Sequence, residues 1–162
     1  MVGLEMLSNR EKFSAYVAQT SPYPPSLEIE RALGCRLFDV SGREYLDFIS
    51  GIAVVNVGHC DPRVTAAVVE QARAYAHTMV YGEHIQRPQV ELAEAIVKVA
   101  PAGLDCVYFL TTGAEANDAA LKLAAKHTGR SRFIAFHHAY HGDTVGALSC
   151  FGSEHFRNQF PG

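Results

Sequence analysis

Apolar and polar positions change their spacing several times along the chain, and each change marks an element. Ser8-Asn9-Arg10-Glu11 fits a capping box, with Ser8 as the cap and Glu11 at the third helical position. It predicts a short helix to about Val17, which Ser21-Pro22-Tyr23-Pro24-Pro25 ends. From Leu27 to Phe48 short alternating runs are broken at Gly34 and at Ser41-Gly42, the pattern of a half-buried antiparallel meander. Ser50 to His59 reads as a glycine-punctuated crossing segment. Asp61-Pro62 then supplies an N-cap followed by proline at the first helical position. The helix it opens runs to about Ala76, with Val64, Ala67, Val68, Gln71, Ala72 and Tyr75 on its inner face. After a loop from His77 to Arg87, Pro88 opens another helix with Leu92, Ala93, Ile96 and Val97 apolar, and Pro101 closes it.

The densest signal follows. Val107 to Leu110 is a short apolar run that predicts a buried parallel strand, stopping at Thr111-Thr112-Gly113. Ala114 to Lys126 is rich in helix formers, with Ala116, Ala119, Ala120, Leu123 and Ala124 on one face and Gly129 just beyond. Phe133 to Phe136 predicts a second strand, so the fold class is α/β. At the helix N-terminus free backbone N–H groups and the positive end of the dipole converge, which makes the turn from Thr112 to Glu115 a seat for a phosphate. Thr111 and Thr112 add hydroxyls there, and the small Gly113 and Ala114 admit an anion closely. A glycine at such a turn also serves packing alone, and neither GxGxxG nor GxxxxGK[ST] is present.

Composition narrows the picture modestly. The chain has 162 residues, 48% of them hydrophobic and 19% charged, with a formal net charge of −3. This is an ordinary globular balance with nothing to favour a nucleic-acid partner. No apolar run approaches the roughly 20 residues of a membrane span, and Met1 to Arg10 lacks a signal-peptide core, so a cytoplasmic location is the expectation. Cys35, Cys60, Cys106 and Cys150 lie far apart and form no CxxC pair, which predicts reduced, buried thiols. His137, His138 and His141 form the densest titratable cluster, but the only acid at matching spacing is Asp143, so no metal is expected. His59 on a turn reads as a satisfied hydrogen-bonding residue.

Four segments together carry a resemblance: Gly42-Arg43-Glu44-Tyr45-Leu46-Asp47-Phe48, Ser50 to Val54 leading into Gly58-His59-Cys60-Asp61-Pro62, Thr112-Gly113-Ala114-Glu115-Ala116-Asn117, and Tyr140-His141-Gly142. In order and spacing they resemble the N-terminal part of a class III (ω-type) aminotransferase, a pyridoxal-phosphate enzyme of fold type I, from about Pro22 onward. The resemblance implies that residues 1–50 are the N-terminal segment of the small domain. Residues 51–162 are then the start of the large cofactor-binding domain, so the fold is incomplete. It implies cofactor contacts from Thr112, Gly113, Ala114, Tyr140 and His141, with the Tyr140 ring stacked on the pyridine. It places Ile52 at the substrate entrance, with Met79, Val80 and Tyr81 as weaker candidates for the same pocket. Read as residues alone, Tyr140 also fits a boundary tyrosine at a strand end, and Ile52 a core filler. Asp143 departs from the family's habit of a basic or bulky residue after Tyr-His-Gly.

The implied reaction moves an amino group from an ω-amino donor, such as 4-aminobutyrate, ornithine or acetylornithine, to a 2-oxo acid such as 2-oxoglutarate, in a homodimer. That chemistry needs a Schiff-base lysine. The lysines present are Lys12, Lys98, Lys122 and Lys126, and none matches the family's position, so the catalytic lysine is expected outside this chain. The strands at Val107 and Phe133 are then not sheet neighbours, and unpaired edges and an apolar face meant for other strands are expected. The ending Phe160-Pro161-Gly162 fits a truncated chain. A non-catalytic remnant that binds a phosphate ligand or a partner chain is the alternative, and a plain nucleotide-binding α/β domain is a third reading.

Overall fold

The computed structural model describes residues 7–79 and 82–158. Val80 and Tyr81, and the Phe160-Pro161-Gly162 ending, lie outside the described residues. The chain divides into two compact units, Met1–Tyr81 and Gly82–Gly162.

The first unit begins with α1 (Asn9–Tyr16), where the Ser8 hydroxyl accepts the Glu11 N–H and the Glu11 carboxylate accepts the Ser8 N–H. Both halves of the expected capping box are therefore made. The meander follows as β1 (Ile29–Leu33), β2 (Arg36–Asp39) and β3 (Glu44–Leu46), antiparallel and in the order β1-β2-β3. Arg31 faces Phe38 across the first pair, with its guanidinium 3.5 Å from the ring centroid, and Leu37 faces Tyr45 across the second. The turn between β2 and β3 is tied by Asp39. Its Oδ1 accepts the N–H groups of Ser41 and Arg43 at 2.9 and 3.0 Å and the Ser41 hydroxyl at 2.6 Å. Its Oδ2 accepts the Tyr45 hydroxyl at 2.8 Å, and Gly42 takes the left-handed conformation that the turn requires. A four-residue turn, α2 (Ser50–Ala53), comes next, and α3 (Pro62–Ala74) closes the unit, capped by Asp61 through the N–H groups of Arg63 and Val64.

The apolar face of α3 falls where its periodicity puts it, but Val64 and Val68 are more than half exposed. An amphipathic stripe marks a face that wants a partner, and it is buried only where the partner is present.

The second unit holds α4 (Arg87–Val99), α5 (Gly113–Thr128), α6 (Val145–Ser149) and α7 (Glu154–Arg157). Neither Val107 to Leu110 nor Phe133 to Phe136 forms a strand, contrary to the periodicity. Tyr108, Ile134 and Phe136 are largely exposed. A strand exists only through its ladder, and the described residues provide these two runs with no pairing neighbour. The α4 residues Leu92 and Ile96 are likewise exposed.

Among the described residues of this unit, α6 packs against α5 and, less extensively, against α7. Ala147 and Leu148 on α6 are the buried apolar residues among those described. The α5 positions facing this side are Asn117, Ala120, Leu121 and Ala124, which with Phe133, Ile134, Ala135, His141, Ala147 and Cys150 line a cavity of about 280 Å³. Leu123, expected on the packed face, is 68% exposed. The four cysteines are free, but Cys35, Cys60 and Cys106 are exposed and not buried as expected. Among the described residues no helix is long and apolar enough to cross a membrane.

Candidate functional site

The N-terminus of α5 is built by a second capping box. Thr112 is the N-cap; its hydroxyl accepts the Glu115 N–H at 3.2 Å, and Glu115 Oε2 accepts the N–H groups of Thr112 at 3.0 Å and Thr111 at 3.2 Å. The Ala116 N–H reaches back to the Thr112 carbonyl at 3.0 Å. This consumes most of the donors at the helix start and leaves the Gly113 and Ala114 N–H groups with no partner among the described residues. Thr112 therefore shapes the helix start through its cap, while Gly113 and Ala114 present its open donors. Open space lies where a Cβ on Gly113 would point.

Residues 140–142 are fastened to this helix start from 24 positions away. Asn117 Nδ2 donates to the His141 carbonyl at 2.6 Å. Gly142, at φ 122°, backs directly onto Ala114: a Cβ there would lie 2.7 Å from the Ala114 Cα. Gly113, Ala114, Tyr140 and His141 thus belong to one constellation. Tyr140 is 63% exposed, and Phe151 meets its ring edge-on with centroids 5.5 Å apart. Its hydroxyl donates to Asp143 Oδ2 at 3.0 Å, a bond that holds the phenol above its ordinary pKa of 10.0. Asn117 and Asp143 join this constellation through contacts that local sequence does not signal.

Deeper along α5, Asp118 Oδ1 is buried with no hydrogen-bond partner among the described residues, where Gly146 of α6 approaches too closely for a side chain. Lys122 and Lys126 follow Gly113 on the same helix by ~14 and ~20 Å along its axis. Lys98 pairs with Glu94 at 2.7 Å. Among the described residues no group of three His, Cys, Asp or Glu side chains is placed to hold a metal ion.

The first unit carries Ile52 on the α2 turn. Ser50, Gly51, Ile52 and Ala53 have φ of 52°, 62°, 61° and 60°, so four consecutive residues are left-handed and only one is glycine. Left-handed backbone costs an L-residue about 1–2 kcal/mol, and a β-branched side chain there is a true outlier. No burial offsets this in the chain, because Ile52 is 86% exposed. Met79, the described member of the weaker set, is 48% exposed.

All four resemblance segments thus contribute backbone turns or caps with defined geometry, and their wider kinship agrees. The family model for class-III aminotransferases matches residues 16–162. The acetylornithine aminotransferase of Methanosarcina mazei is 41% identical over 150 residues, covering 93% of this chain and 37% of that protein. Its counterpart in Archaeoglobus fulgidus is 43% identical over 132 residues, 82% of this chain and 34% of that protein. The crystal structure of adenosylmethionine-8-amino-7-oxononanoate aminotransferase from Methanocaldococcus jannaschii superposes with a TM-score of 0.85 at 32% identity, covering 93% of this chain and 37% of that one. The 6-fold mutant of a thermostable omega transaminase from Pseudomonas jessenii gives 0.83 at 28% identity, covering 96% and 38%. The chain spans a little over a third of the length of these relatives. It belongs to the class-III aminotransferases, a pyridoxal-phosphate-dependent family, and matches their N-terminal portion.

Proposed function

We propose that this chain supplies the phosphate-and-ring half of a pyridoxal-phosphate site in an aminotransferase. That enzyme moves an amino group from an ω-amino donor, such as acetylornithine, ornithine or 4-aminobutyrate, to a 2-oxo acid such as 2-oxoglutarate. The observation that carries this reading is the pair of amides at Gly113 and Ala114 that have no partner among the described residues, with Tyr140 to Gly142 tied to the same helix start. Two converging N–H groups at a helix start suit the cofactor's phosphate dianion. The Tyr140 ring suits a stacking partner for the pyridine, a contact worth about 0.5–1.5 kcal/mol that holds the ring's tilt. His141 lies beside it, its carbonyl held by Asn117, and Thr112 keeps the helix start in shape.

Pyridoxal phosphate, when bound, supplies the electron sink for the amino transfer. The chain's own contribution is to anchor and orient. Gly113 and Ala114 hold the anion, Tyr140 holds the ring, and Ile52 offers an apolar wall to the donor's carbon chain. Lys12, Lys98, Lys122 and Lys126 are assigned no part, and the Schiff-base lysine is placed outside these residues. The chain alone is then inactive, and the complete enzyme works as a homodimer. Residues 1–50 are assigned to its small domain and 51–162 to the start of its large one. The test is glutamate formation from 2-oxoglutarate with N-acetylornithine or 4-aminobutyrate by the complete enzyme carrying this chain. Activity that falls with Tyr140→Ala supports the reading; full activity of that variant at low cofactor concentration removes it.

A further inference from the structure

The left-handed turn at Ser50–Ala53 makes its own backbone bonds, from the Ala53 N–H to the Ile49 carbonyl at 3.0 Å and from the Val54 N–H to the Ser50 carbonyl at 2.8 Å, and the side chains that brace its start converge on one carboxylate. Asp47 Oδ1 accepts the N–H groups of Ile49 at 3.0 Å and Ser50 at 2.8 Å, immediately before the turn. Its Oδ2 lies 2.7 Å from His59 Nε2, and its side chain is only 8% exposed. With the carboxylate as acceptor, Nε2 carries the proton. Both residues are themselves tied to the β1–β2 hairpin. The Asp47 N–H donates to the Cys35 carbonyl at 2.9 Å, and His59 exchanges backbone bonds with Gly34 at 2.9 and 2.8 Å. Gly58 lies so close to Gly34 that a Cβ would come within 3.2 Å of the Gly34 Cα and carbonyl oxygen. The Ser50 hydroxyl closes the far side by donating to the Val55 carbonyl at 2.9 Å.

A strained turn that is over-determined by its surroundings, and that presents an exposed β-branched side chain, is a device for placing that side chain. We propose that Asp47 and His59 are positioning residues for Ile52: the imidazole orients the carboxylate, the carboxylate fixes the Ile49 and Ser50 amides, and the turn they start holds the exposed Ile52 side chain in one place. This rests on the reading of Ile52 as a substrate-entrance residue. On it, Asp47 and His59 influence donor choice without touching donor or cofactor.

The experiment is a double-mutant cycle in the complete holoenzyme, comparing Asp47→Asn, Ile52→Ala and the double variant. The readout is the ratio of kcat/KM for N-acetylornithine to that for 4-aminobutyrate. Each single variant is expected to shift the ratio about tenfold, and Asp47→Asn to shift it no further in the Ile52→Ala background. The cofactor's visible absorbance is expected to stay unchanged. A ratio moved by Ile52→Ala but not by Asp47→Asn overturns the positioning role and leaves the Ile52 reading standing. Equal shifts from Asp47→Asn with and without Ile52 also overturn it, since Asp47 then acts by another route. A ratio untouched by Ile52→Ala overturns the Ile52 reading and the proposal together. If Asp47→Asn fails to fold, His59→Ala takes its place, since it removes the imidazole that orients the carboxylate, and the same outcomes decide.

Discussion

Asn117 Nδ2 donates to the His141 carbonyl at 2.6 Å, so one side chain in the second turn of α5 sets where the Tyr140–Gly142 stretch lies against the helix N-terminus. Asn117→Ala removes that fastening. A neutral hydrogen bond contributes about 1 kcal/mol, so pyridoxal phosphate is expected to bind the complete enzyme about fivefold more weakly, with helix content unchanged. A fluorescence titration of the apoenzyme checks this, and unchanged affinity separates Asn117 from the site.

Gly142 meets Ala114 with no room for a side chain. Gly142→Ala places a Cβ 2.7 Å from the Ala114 Cα on a backbone at φ 122°, so overpacking and conformational strain add. The expected loss of stability is about 2–4 kcal/mol, read from denaturant midpoints of the complete enzyme. Adding Ala114→Gly relieves the contact between the two Cβ atoms and restores part of it. A fully stable Gly142→Ala protein contradicts the close approach.

Tyr140 carries a pH signature. Its bond to Asp143 favours the protonated phenol and raises the folded-state pKa above 10.0. A raised pKa means the contribution is fully present below about pH 10 and is lost as pH rises through the folded value. Asp143→Asn is expected to return the phenol toward its ordinary value, followed by NMR of the tyrosine ring carbon against pH. An unmoved titration shows that Asp143 does not act on Tyr140.

Asp39 reports on the meander in the acid range. Bonds from the Ser41 hydroxyl and the Tyr45 hydroxyl, with the turn amides, lower its pKa from 3.8 to about 2. The sign is that of a carboxylate depressed on folding: its contribution is present above about pH 4 and disappears as pH falls toward 2. Ser41→Ala removes the largest cause and is expected to raise the midpoint, seen in the side-chain carboxyl carbon shift. A wild-type midpoint near 3.8 contradicts the turn geometry.

Local chemistry was readable wherever the partners are close in sequence. The Ser8–Glu11 box, the Asp61-Pro62 start of α3 and the meander with its breaks at Gly34 and Ser41-Gly42 all lie within a few residues of their causes. The capped start of α5 at Thr112 was legible for the same reason, as a cap followed by small residues. What the sequence hides is non-local. Nothing near Asn117 announces that it reaches His141, and nothing near Gly142 announces Ala114. The left-handed turn was hidden differently, because Ser50, Ile52 and Ala53 are residues that ordinarily avoid it, and the Asp47 side chain that accepts the Ser50 amide lies before it. Val107 to Leu110 and Phe133 to Phe136 have the composition of strands but lack pairing partners among the described residues, and a ladder requires both sides.

The central claim is that the chain holds the phosphate and ring of pyridoxal phosphate without its Schiff-base lysine. It is tested most directly by titrating the purified 162-residue chain with pyridoxal phosphate and following visible absorbance before and after borohydride reduction, beside Tyr140→Ala. The account predicts weak, saturable binding that Tyr140→Ala abolishes, with no reduced adduct on a unique lysine. A single borohydride-fixed lysine among Lys12, Lys98, Lys122 and Lys126, or no saturable binding at all, contradicts it.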